Sequence, residues 1–132
     1  MHLRQTLAEH HKPAPLVLWN QSQGTVACRE LTLAETSRTR LFGLLGLASL
    51  PPGQGLFIRP SSGVHTFGMR FPIDVVALDR EGRVSGLWDA VGPWRIRGLS
   101  LSTRAVLEMA AGEARRAGIQ VGDHLSIEPA PC

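Results

Sequence analysis

Short apolar runs, some alternating with polar residues and some unbroken, recur along this chain between clusters of Gly, Pro, Asn and Ser. LVLWN (Leu16 to Asn20) and TVACREL (Thr25 to Leu31) read as strands joined by a turn over Gln21 to Gly24. GQGLFIRP (Gly53 to Pro60) is a short strand between breakers, Ser61-Ser62-Gly63 is the next turn, and Val64 to Arg70 extends again. The clearest unit runs from Ile73 to Leu78, through DREG, to Arg83 to Trp88. There Asp79-Arg80-Glu81-Gly82 fits a type I turn with Gly82 left-handed, hence a hairpin with a bulge. PWRIRG adds a strand or an irregular edge, Thr103 to Met109 a further strand, and VGDHLSIEP a Gly122-Asp123 turn into a last strand.

Two stretches carry helical signals instead. Thr32-Leu33-Ala34-Glu35 has capping-box spacing, and Leu41, Leu44, Leu45 and Ala48 share one helical face, so a helix over roughly Ala34 to Leu45 is expected. Gly43 and Gly46 weaken it, and Pro51-Pro52 bars its extension. AAGEARRAGI gives a one- to two-turn helix ended by Gly118. Strands with two short inserted helices and no βαβ rhythm predict an α+β fold, mostly antiparallel β, built as a compact barrel-like sheet. Residues 1–15, polar and closed by KPAP, are expected to form a flexible arm before a single domain over 16–129.

Composition narrows this picture modestly. At 132 residues the chain suits one domain with one modest core. The pI near 9.7 reflects a net charge of only +3. Lys12 is the only Lys and the arginines are scattered rather than striped, so nucleic acid is not an expected partner. Cys28 and Cys132 form no C-x-x-C; Cys28 is expected buried in its strand and Cys132 exposed in a tail. The first residues lack an apolar signal region, and Leu41 to Leu50 is too short to span a bilayer. A cytoplasmic monomer or weak homodimer is the expectation.

Three blocks in order carry a family resemblance: RLFGLLG…GQGLFI (Arg40 to Ile58), GMRFPIDVVALDREGRV (Gly68 to Val84) and RAVLEMAAGEARRAGIQVGDHLSI (Arg104 to Ile127). Together they resemble the bacterial and archaeal domain-of-unknown-function family numbered 192, over roughly Val26 to Ile127. In that family an aromatic-Met-Lys entry precedes Pro-Leu-Asp and a hairpin. Here Met69-Arg70 and Pro72-Ile73-Asp74 take those places, with a spacer of only Phe71. The last block also resembles the Gly-Asp turn of small cradle-like β-barrels. The resemblance implies a fold and no established activity.

Candidate chemistry gathers before the hairpin. Asp74 shares a strand face with Val76 and Leu78, so it needs an ion-pair partner, such as Arg70 or Arg59, or loop N–H groups. Phe67, Met69 and Phe71 form an apolar wall beside it. The favoured reading is a binding or accessory module. Its groove uses Arg59, His65, Phe67, Met69, Arg70 and Asp74 for a small or peptide ligand. An enzyme using His65 and Asp74 for proton transfer is the first alternative. A nucleic-acid surface over Trp94, Arg95, Arg97 and Arg104 is the second. No converging ligand set for a metal is visible, and no cofactor motif or phosphate loop occurs, so neither is expected. Glu108, Glu113 and Asp123 fall on different elements, and nothing in the spacing pairs them.

Overall fold

A computed structural model describes residues 15–35 and 49–131. Nine strands occur among them: β1 (Leu16–Asn20), β2 (Thr25–Ala34), β3 (Gln54–Ile58), β4 (Val64–His65), β5 (Ile73–Leu78), β6 (Val84–Val91), β7 (Ile96–Arg97), β8 (Ala105–Ala110) and β9 (Leu125–Pro129). One helix, α1 (Glu113–Arg116), follows β8. Seven strands form one sheet in the order β6-β5-β8-β3-β2-β1-β9, while β4 and β7 form a separate two-stranded ribbon. Every pairing is antiparallel except β2 with β3. The mostly antiparallel α+β class is therefore as expected.

Two details differ. The sheet is not closed into a barrel: among the described residues its two ends approach at an isolated bridge between Arg83 and His124, just before β6 and β9, with the Gly122 N–H donating to the Val84 carbonyl beside it. Beyond that bridge, α1 and the residues after it fill the gap, packing Ala114 and Ile119 into the core that Leu87 of β6 also joins. The expected capping box does not form either. Thr32, Leu33 and Ala34 instead pair with Leu56, Phe57 and Ile58, so the β ladder takes the backbone groups that a helix start would need. The rest of that expected helix, the arm and Cys132 lie outside the described residues.

Strands β5 and β8 sit mid-sheet with almost every residue buried, because apolar side chains cover both faces. On one face a first cluster joins Leu18, Cys28, Leu31, Phe57, Val76, Leu78, Leu107 and Met109. On the other, a second cluster joins Leu56, Ile58, Met69, Ile73, Val75, Val91 and Val106, with Leu50, Val64, Phe71 and Trp88 packed on it. Cys28 is buried as expected, but by a different device. The register slips between Leu18↔Cys28 and Leu16↔Leu31, and the N–H groups of Arg29 and Glu30 both donate to the Gly53 carbonyl at 3.0 Å. That bulge turns both Cys28 and Leu31 inward.

The hairpin forms as the sequence indicates. Gly82 adopts a φ of 81°, and Asp79 Oδ1 accepts the N–H groups of Glu81 and Arg83 at 2.9 and 3.0 Å.

Candidate functional site

Thr66 holds together the two loops that cover the second cluster. It is almost fully buried. Its hydroxyl donates to the Gly92 carbonyl at 2.7 Å and accepts the Arg95 N–H at 2.9 Å. Its own N–H donates to Arg95 O, while its carbonyl accepts the N–H groups of Met69 and Trp94. Around this pin the side chains divide. Met69 turns inward and joins the second cluster, with Phe71 packed against it. His65 and Phe67 stay outside, their rings 5.0 Å apart, and Phe67 stacks on Trp94 at 5.5 Å. Arg70 is exposed. Trp94 has a φ of 64°, a conformation that a bulky residue adopts only at a cost.

Asp74 faces the opposite way. It is fully buried in register with Met109, over the first cluster. Its Oδ1 accepts the Ala90 N–H at 2.8 Å, and its Oδ2 accepts the Ala114 N–H at 2.9 Å. Ala90, with a φ of 46°, lies in the stretch of β6 where the pairing slips between Ile73↔Val91 and Val75↔Trp88. Asp74 thus satisfies a bulge amide and an amide in the first turn of α1. The suggested arginine partners are elsewhere. Arg59 pairs with Glu35 at 2.9 Å and lies over the Phe57 ring. It lines a cleft of about 390 Å³ with Leu78, Arg80, Arg104 and Ile127. The structure therefore brings His65, Phe67 and Met69 onto one pair of loops. It sets Asp74 across the sheet from them and Arg59 at another edge.

Sequence reasoning missed Glu108. Pairing places Thr32, Leu56, Glu108, Val75 and Trp88 in one row across β2, β3, β8, β5 and β6. Glu108 lies in the floor of the second cluster, two residues along β8 from Val106, and only 5% of it is exposed. It has no hydrogen-bond or ion-pair partner among the described residues. Burial alone pushes its carboxyl up to about 7. A signal was available in RAVLEMA. A Glu flanked by apolar residues on both alternating faces of a strand has no solvent face to take.

Cys28 offers no nucleophile: burial, together with neighbouring acidic groups, outweighs the Glu30 backbone contact and pushes its thiol up to about 11. No group of three or more His, Cys, Asp or Glu among the described residues could hold a metal ion. No helix among them is long and apolar enough to cross a membrane.

The profile of the DUF192 family, described as Uncharacterized ACR, matches residues 18–127. The chain belongs to the DUF192 family. No curated protein matches the sequence. A crystal structure of a protein of unknown function from Novosphingobium aromaticivorans is similar, with a TM-score of 0.71 and 25% identity over 85% of this chain and 83% of that one. A candidate transcription regulator from Sinorhizobium meliloti shares the fold alone, with a TM-score of 0.70 and 20% identity over 86% of this chain and 92% of that one. The Met69-Arg70 and Pro72-Ile73-Asp74 elements of this DUF192 domain now have distinct places. Met69 covers the face that holds Glu108, and Asp74 ties the opposite face to α1.

Proposed function

We propose that this DUF192 protein is a ligand-binding module whose site lies on the second face of the sheet, with Glu108 as its polar anchor. Met69, Phe71 and Trp88 supply the apolar surroundings. One observation carries the reading: a carboxylate more than nine-tenths buried among apolar side chains has no partner among the described residues. A buried charge is costly unless something pairs with it. An apolar site with one carboxylate at its floor suits a small molecule with an apolar body and an ammonium head. Such a ligand needs Glu108 ionised, so its binding strengthens as pH rises through about 7. Proton transfer between His65 and Asp74 finds no support, since Asp74 is committed to two amides on the far face.

Benzylammonium and n-hexylammonium are suitable probes, read by thermal shift and by amide chemical-shift changes on β8, β5 and β3. Binding that strengthens between pH 6 and pH 8 and disappears in Glu108→Gln is the expected result. Equal response in Glu108→Gln, or no response to either amine at pH 8, would overturn the assignment.

A further inference from the structure

The two loops pinned by Thr66 carry a second surface that the Glu108 site does not use. Residues 60–73 and 90–104 contain Arg70, Arg95, Arg97 and Arg104 and not one acidic residue, in a chain whose total charge is only +3. The nearest acids in sequence turn away from Arg70, Arg95 and Arg97, whereas Arg104 lies in a cleft with Asp79 and Glu81 at the other end of the second segment. Asp74 is buried on two amides, and Asp89 pairs with Arg115 at 3.6 Å. The same segments hold five of the seven large apolar side chains that stand exposed among the described residues: Phe67, Trp94, Ile96, Leu99 and Leu101. Trp94 is 67% exposed and Leu101 is 94% exposed. His65 pairs with Ile96 across the β4–β7 ribbon, and Phe67 stacks on Trp94 beside them. His65, Phe67, Trp94 and Ile96 therefore stand together on the ribbon, and exposed Leu99 and Leu101 follow in the segment after β7.

An aliphatic side chain held almost wholly in water gains nothing from phosphate or from a base edge. It gains on transfer to an apolar phase in proportion to the apolar area removed from water. Trp favours the boundary between headgroups and acyl chains, and each Arg near an anionic lipid surface is drawn to its negative potential. Aliphatic tips, an interfacial Trp and three arginines, Arg70, Arg95 and Arg97, with no acid in their segments are together what an anionic bilayer takes. Single-stranded nucleic acid would use the Trp and the arginines but leave Leu99 and Leu101 idle.

We propose that the lobe formed by residues 60–73 and 90–104 docks peripherally on anionic lipid bilayers, with Trp94, Leu99 and Leu101 entering the interface and Arg70, Arg95 and Arg97 facing the headgroups. The test is co-sedimentation of the full chain with phosphatidylcholine vesicles, with and without phosphatidylglycerol, across a salt series. Emission spectra of the wild type and of Trp94→Phe isolate the Trp94 signal from Trp19 and Trp88. Binding to the anionic vesicles that weakens with salt, and a blue shift that Trp94→Phe lacks, are expected. Leu101→Ser should partition roughly tenfold less. Arg95→Gln and Arg97→Gln should each partition roughly fivefold less. Circular dichroism of each variant checks that the sheet is intact. No binding to either vesicle, unchanged partitioning of Leu101→Ser, or retention on oligothymidine without vesicle binding would each overturn the proposal.

Discussion

The two faces of the sheet treat buried carboxylates in opposite ways. On the first face Asp74 spends both oxygens on backbone amides. Asp123, in the turn before β9, accepts from Asn20 Nδ2, Gln23 Nε2 and the Gln120 N–H at 2.8, 2.8 and 2.9 Å. On the second face Glu108 is surrounded by Leu56, Val75 and Val106 and makes no such bond among the described residues. Where a carboxylate closes every donor around it, its work is to hold the fold. Where it is buried and left without a partner, it destabilises the fold, and that suits a group kept for something else. The contrast also separates two parts of one family block, since Met69 belongs to one face and Asp74 to the other.

The comparison breaks most visibly at Asp74. Asp74→Ala strips acceptors from the Ala90 and Ala114 amides and should destabilise by about 4 kcal/mol, measured by urea unfolding. Asp74→Asn, which retains one carbonyl acceptor, should lose about half as much. A cost near zero for the alanine variant would mean that the first face does not depend on this carboxylate.

Glu108 should show the reverse sign. Its folded carboxyl is raised from 4.5 to about 7, so the folded state holds the proton more tightly than the unfolded chain. The Glu108 contribution to stability is therefore greatest below pH 4.5, falls as pH rises to about 7, and is then level, with a total loss of about 3 kcal/mol. Unfolding free energies of Glu108→Gln across that range should lack this fall. Parallel pH curves for the two proteins would show that Glu108 is not the group responsible.

Asp123 gives the smallest and most local effect. Burial works to raise its carboxyl, but the hydrogen bonds from Asn20, the Gln120 N–H and Gln23 outweigh it and hold the group below its ordinary value. Its stabilisation is present at neutral pH and is lost as pH falls through the folded value. Asp123→Ala should cost about 2 kcal/mol at pH 7. It should also flatten the acid limb of the stability curve below pH 4, which denaturation at pH 3 and pH 7 would resolve.

Local chemistry settles much of this fold. The extents of β1 and β5, the left-handed Gly82, the burial of Cys28, and the shared face of Asp74, Val76 and Leu78 follow from alternation, turn residues and polarity. Those signals act between residues a few positions apart, so they survive in a bare sequence. Three things were decided only by packing over long separations. The parallel β2–β3 pair overrode a well-formed capping box, because a neighbouring strand met those backbone groups first. The loops around Thr66 sent Met69 inward and Phe67 outward, a choice made by hydrogen bonds reaching from residue 66 to residues 92 and 95. Glu108 became singular only when β3 and β5 closed on both sides of β8, which gave its carboxylate apolar neighbours from distant parts of the chain. The sequence alone determined which residues could be buried or turned; the tertiary structure decided which buried charge was left without a partner.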